Sequence, residues 1–116
     1  MHTIEQLRES AAKLKTIGID FEAVSTTGKP SDAKDAWKAK PTIISIATKE
    51  RVGVFSIDEE SIAFYRELLE NPDYVVLVHN AAYDFVLAHV SGVMDFSTVK
   101  AHILDTMILC WAFNED

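Results

Sequence analysis

Near the start of the chain, apolar positions recur at helical spacing. Ile4, Leu7, Ala11 and Leu14 share one face, and Thr3 with Gln6 makes a capping box, so a helix is expected over about Ile4 to Lys15. The period then drops to two. Ile17, Ile19 and Phe21 alternate with Gly18, Asp20 and Glu22, the pattern of a half-buried strand over Thr16 to Glu22. From Ser25 to Lys40 small, charged and turn-forming residues dominate, which predicts a long loop. Thr42 to Thr48 and Val52 to Ile57 read as two strands joined by the tight turn Lys49-Glu50-Arg51, hence a hairpin.

Helical spacing returns with Ile62, Tyr65, Leu68 and Leu69. It predicts a helix from about Glu59 to Glu70, stopped by Asn71-Pro72. Tyr74 to His79 is an unbroken apolar run, the mark of a strand buried on both faces. Asn80 turns the chain into a helix over Ala81 to Ser91, closed by Gly92. Ala101 to Asp105 reads as a short strand, and a further helix starts at Thr106. This order predicts an α/β fold with a mixed sheet. The hairpin is antiparallel by construction, whereas the later strands cross over through helices.

Composition narrows the class. The 116 residues suffice for one domain or part of one, and 48% hydrophobic content is ordinary for a globular chain. No apolar run is long enough to span a bilayer, and Met1 to Lys15 lacks the apolar stretch of a secretory signal. Cys110 is the single cysteine, so no internal disulfide and no zinc-type ligand spacing exists, and a small buried thiol is expected there. Together these point to a cytoplasmic protein. A net charge of −7 argues against gripping nucleic acid by bulk electrostatics. The charge is uneven, however. Between Ala23 and Pro41 four lysines (Lys29, Lys34, Lys38, Lys40) face two aspartates (Asp32, Asp35). Such a loop is commonly just solvated, but its place directly after Glu22 puts it where a phosphate backbone could meet it.

Candidate chemistry lies in the carboxylates. Strand alternation projects Asp20 and Glu22 to one face and Phe21 to the other. Paired carboxylates repel unless a proton or cation lies between them, and oxygen donors suit Mg²⁺ or Mn²⁺. An isolated D-x-E is common by chance. The segment V-L-V-H-N-A-A-Y-D-F is sharper, because it sets a buried strand, a turn at Asn80 and Asp84 in the first turn of the next helix. Functional groups of open α/β sheets gather at such strand ends. If this strand runs parallel beside the first, Asp84 reaches the edge that holds Asp20 and Glu22. Asp84 can equally serve its own helix N-terminus electrostatically.

Three segments carry a resemblance: I-G-I-D-F-E (Ile17–Glu22), H-N-A-A-Y-D-F (His79–Phe85) and L-D-T-M (Leu104–Met107). In this order and spacing they resemble the DEDD 3′→5′ exonucleases of ribonuclease-H-like fold, in particular the proofreading domain of bacterial and phage DNA polymerase I-type enzymes. The stretch Asp35–Thr48, followed by R-V-G-V-F-S-I, is also similar to phage polymerases. The resemblance implies a single partial exonuclease domain over residues 1–116, with residues 1–16 as its N-terminal helix, in a bacterial or phage-infected cell. It implies two divalent metals: Asp20 bridging both, Glu22 on the water-activating one, Asp84 on the other. Asn80 and Tyr83 would lie near a single-stranded DNA 3′ end. The residue that separates the terminal bases, usually leucine, corresponds to Thr26 here, which departs from the pattern. Asp105 falls in a structural element of the family and is not counted as the fourth carboxylate.

A complete member carries a third motif, Y-x-x-x-D or H-x-x-x-x-D, on a later helix, and no such motif follows Met107. Glu115 and Asp116 are terminal and are not taken as its replacement; His89 and His102 are more simply surface or packing residues. The expectation is an exonuclease half-site, completed by a polymerase domain or a second chain, or a homodimer. The alternative is a catalytically inactive module that binds nucleic acid or protein. Either way, one sheet face or edge is expected to lie uncovered.

Overall fold

The computed structural model describes residues 1–114; Glu115 and Asp116 lie outside the described residues. Its elements are α1 (Ile4–Leu14), β1 (Thr16–Ser25), β2 (Ala39–Ala47), β3 (Val52–Ser56), α2 (Glu59–Leu69), β4 (Val75–Val78), α3 (Ala81–Val90), β5 (His102–Asp105) and α4 (Thr106–Asn114). The sheet order is β3-β2-β1-β4-β5, with β1–β2 and β2–β3 antiparallel and β1–β4 and β4–β5 parallel. The mixed α/β sheet expected from the pattern is therefore present.

The helix starts follow local chemistry. Thr3 and Gln6 cap α1 reciprocally, and Asp58 with Ser61 does the same for α2. The turn between β2 and β3 is closed by the Thr48 amide donating to the Arg51 carbonyl. The differences from the pattern gather around the predicted loop, and β2 already starts at Ala39 rather than at Thr42. β1 does not stop at Glu22 but runs to Ser25 through a register shift between Glu22 and Ala23. The extra residue at the shift is Thr42 of β2, and β1 itself keeps alternating; its continuation is hidden because apolar Val24 faces out and polar Ser25 is half-buried. The segment read as a loop also contains two short 3-10 turns, Pro30–Lys34 and Ala36–Lys38.

One face of the sheet carries the core. Ile17, Ile19 and Phe21 of β1, Ile44 and Ile46 of β2, and Val76 and Val78 of β4 are buried there. They form a single cluster with Leu7 of α1, Phe64, Tyr65, Leu68 and Leu69 of α2, and Leu87 of α3. The other face presents three rows across the strands: Val52–Ala47–Gly18–Leu77–Leu104, Val54–Ser45–Asp20, and Ser56–Ile43–Glu22. Among these, Val52, Val54 and Leu104 each remain 43% exposed. On α4, Ile108, Leu109, Trp111 and Phe113 are exposed as well. Cys110, read as a buried thiol, is exposed on the same helix. Exposed apolar side chains thus stand on the sheet face that bears Asp20 and Glu22. No described helix is long and apolar enough to cross a membrane.

Candidate metal centre and its surroundings

β1 outruns its parallel neighbour. The last β1–β4 pair is Gly18 with Leu77, so Asp20 and Glu22 lie beyond the carboxyl end of β4, paired on one side only with Ser45 and Ile43 of β2. At that same end the chain leaves β4 and enters α3. Both β1 carboxylates are exposed, and Asp20 lines an open cleft with Gly18, Ser45, Leu77, His79 and Thr106.

Asp84 is placed differently. It is 4% exposed, and its Oδ2 atom has no hydrogen-bond partner. Burial pushes its carboxyl up to about 7, with the negative charges of Asp20 and Asp105 adding to the shift. A buried carboxylate with an orphaned oxygen is costly, and a hard cation or a proton is what would satisfy it. The all-oxygen donor set of Asp20, Glu22 and Asp84 fits Mg²⁺ or Mn²⁺ on those grounds. The set is not closed: among the described residues no three His, Cys, Asp or Glu side chains converge as a metal-binding group.

The positioning device at the start of α3 is Asp105. Its two oxygens accept hydrogen bonds from the Asn80 and Ala81 amides, 3.0 and 2.8 Å, and Oδ1 also accepts from the Met107 amide, 2.9 Å. Burial raises this carboxyl, but the amides of Ala81, Asn80, Met107 and Ile108 outweigh it and hold the group below the usual carboxylate range. One side chain therefore caps the beginnings of both α3 and α4. That agrees with the structural reading of the L-D-T-M segment. Asp105→Ala is expected to lower the Tm and to speed hydrogen exchange at Asn80, Ala81 and Met107, which amide-resolved exchange will report.

Asn80 adopts the left-handed conformation, φ 62° and ψ 65°, and makes no cap of its own because Asp105 takes that role. Asparagine tolerates this region better than most residues. Tyr83 donates its hydroxyl to the Ala33 carbonyl, tying α3 to the lysine-bearing segment. Its pKa is raised, first by burial and then by Asp84, Asp35 and Glu22, which places those carboxylates within electrostatic reach of it. Thr26 lies just past β1, where its amide and hydroxyl both donate to the Lys38 carbonyl. No apolar wedge stands at that position. Near Glu22 the exposed apolar side chain is instead Val24, which alternation could have flagged had the length of β1 been legible. His79, directly after the apolar run of β4, lines the Asp20 cleft and pairs its Nδ1 with the Thr106 hydroxyl at 3.0 Å.

This fold is shared with solved exonuclease domains. The chain superposes on the EXO domain of Aedes aegypti Nibbler with a TM-score of 0.62 and 14% identity, over 96% of this chain and 53% of that one. Against Escherichia coli RNase D, described as an exoribonuclease involved in structured RNA processing, the TM-score is 0.66 with 16% identity, over 97% and 27% of the two chains. Against Trypanosoma brucei RNase D in complex with GMP it is 0.63 with 21% identity, over 95% and 33%. The chain thus spans about half or less of the length of these proteins. No protein-family model and no curated protein matches the sequence. At these identities the likeness establishes the fold, a ribonuclease H-like α/β sheet.

Proposed function

We propose that this chain supplies three of the four carboxylates of a metal-dependent 3′→5′ exonuclease, removing nucleotides from single-stranded 3′ ends. The observation that carries the reading is the orphaned Asp84 carboxylate, raised first by burial and then by the charge of Asp20, at the end of a sheet shared with exonuclease domains. Asp20, Glu22 and Asp84 would hold the divalent ions. When bound, such ions stabilise the attacking and leaving oxygens of a phosphodiester in line. The chain's own part is to fix those carboxylates: β1 projects two from one face, and the Asp105 cap sets the first turn of α3 that bears the third. Asn80 and Tyr83 stand at that same helix start, beside the path of a 3′ end.

The finer reading is DNA and proofreading. It rests on the motif resemblance to polymerase I-type domains, while RNase D, which shares the fold, is described as an exoribonuclease. The uncovered face beside Asp20 favours completion by a further polypeptide segment, apolar on one side and bringing the missing carboxylate. The same face supports the second reading, a non-catalytic interaction module. Mn²⁺ titration followed by the electron paramagnetic resonance of free Mn²⁺ separates them: uptake is expected for the exonuclease reading, and none overturns it. With 5′-labelled single-stranded DNA and RNA, any products are expected to shorten one nucleotide at a time from the 3′ end. Internal cuts or trimming from the 5′ end would reject the assignment.

A further inference from the structure

Trp37 stands in the segment that the pattern predicts as a loop. It is 68% exposed, yet the turn that carries it is firmly fixed. Asp35 accepts a hydrogen bond from the Trp37 amide at 3.0 Å, Ala36 and Ala39 on either side are buried, and Thr26 holds the Lys38 carbonyl. The backbone beneath the indole is already ordered, so binding there costs less freedom. Trp37 forms one wall of an open groove of 330 Å³ whose other walls are Ala82, Phe85, Val86, His89 and Phe96. Phe85 and Phe96 lie against each other with ring centroids 5.0 Å apart, and no described ring stacks on Trp37 itself.

The charges on the segments that carry Trp37 and Phe96 are sorted. Asp32 accepts from the Thr27 hydroxyl, Asp35 from the Trp37 amide, and Asp95 from the Ser97 amide and hydroxyl. The aspartates are thereby occupied by local donors. Lys29, Lys34, Lys38 and Lys40 are in no ion pair among the described residues. An aromatic platform flanked by unpaired lysines is how sequence-tolerant single-strand binding is built: bases stack on the ring, phosphates meet the ammonium groups. Tyr83 ties this segment to α3, and α3 carries Asp84 on one side and the groove residues Ala82, Phe85, Val86 and His89 on another.

We infer that the Trp37 groove seats an unpaired nucleobase of a single-stranded nucleic acid whose backbone follows Lys34 and Lys38. The site deepens the exonuclease reading and rests on it. It would hold the strand some way from its 3′ end, a helix width from Asp84, about 10–12 Å. The probes are a twelve-nucleotide oligothymidylate, the matching oligouridylate, and an abasic phosphodiester strand of equal length, all in EDTA. A Trp111→Phe background leaves Trp37 as the only indole. Quenching of its fluorescence by a base-bearing strand is expected, and none by the abasic one. Trp37→Ala is expected to weaken binding about tenfold, the loss for one stacked base, while Trp37→Phe restores most of it.

Equal binding by wild type and Trp37→Ala, or equal binding of abasic and base-bearing strands, overturns the inference. So does an absence of quenching by both DNA and RNA, the outcome expected if the groove takes an apolar peptide. If only one of the two quenches, the inference stands and the sugar is identified. Mn²⁺ uptake by the wild type is read separately. Uptake without quenching removes the groove and keeps the metal site, whereas quenching without uptake does the reverse.

Discussion

Asp20→Ala is expected to abolish Mn²⁺ uptake, lowering affinity roughly a hundredfold or more, since loss of even an outer-shell partner of a metal site commonly costs 10–100-fold. Asp20 is the carboxylate shared between the β1 pair and Asp84: it projects beside Glu22 from one sheet face, and its charge contributes to the raised pKa of Asp84. A second readout needs no metal. In Asp20→Asn, one of the charges opposing ionisation of Asp84 is gone, so the Asp84 carboxyl should titrate below about 7, as followed by its carboxyl carbon resonance. Unchanged Mn²⁺ affinity and an unmoved Asp84 midpoint together would show that the two carboxylates do not share a site.

The second large effect concerns stability. Asp84 has its folded pKa raised from 3.8 to about 7, so the folded state binds the proton more tightly than the unfolded state does. Its stabilising protonated form is fully present below the unfolded pKa. Stability is then lost as pH rises from about 4 to about 7, and the curve is flat above that. At about 1.4 kcal/mol per unit, the full loss is on the order of 4 kcal/mol. Asp84→Asn cannot ionise and escapes it. Between pH 5 and pH 8 the variant is expected to gain about 3 kcal/mol on the wild type, a Tm difference on the order of 10 °C. Added Mn²⁺ should stabilise the wild type at pH 8 and leave the variant unmoved. Parallel pH profiles for the two proteins would show that Asp84 ionises without strain.

The metal-ligand candidates were largely legible because their placement is local. Alternation fixed the shared face of Asp20 and Glu22, and the turn at Asn80 put Asp84 in the first turn of α3. The role of Asp105 was legible only through the family pattern, since its partners Asn80 and Ala81 lie 25 and 24 residues away. What stayed hidden was longer range still. The Tyr83 hydroxyl reaches Ala33 across 50 residues, and nothing in either segment announces the other. The continuation of β1 to Ser25 was masked by its residue types: exposed Val24 and half-buried Ser25 reverse the apolar-in, polar-out order of Ile17 to Glu22. Trp37 reads as a loop residue because its groove is assembled from α3 and from Phe96, elements remote in sequence. The burial of Asp84, and with it the missing partner of its Oδ2 atom, depends on packing rather than on pattern.

The double cap made by Asp105 has a consequence for the order in which the molecule assembles. β5 is the outer strand of the sheet, yet its last residue satisfies the first amides of α3. On a ribosome, α3 emerges before the strand that anchors it. Until Asp105 has cleared the exit and β5 has docked on β4, the turn leading to Asp84 has no fixed start. The first turn of α3, and Asp84 with it, therefore gains this cap only once β5 is in place.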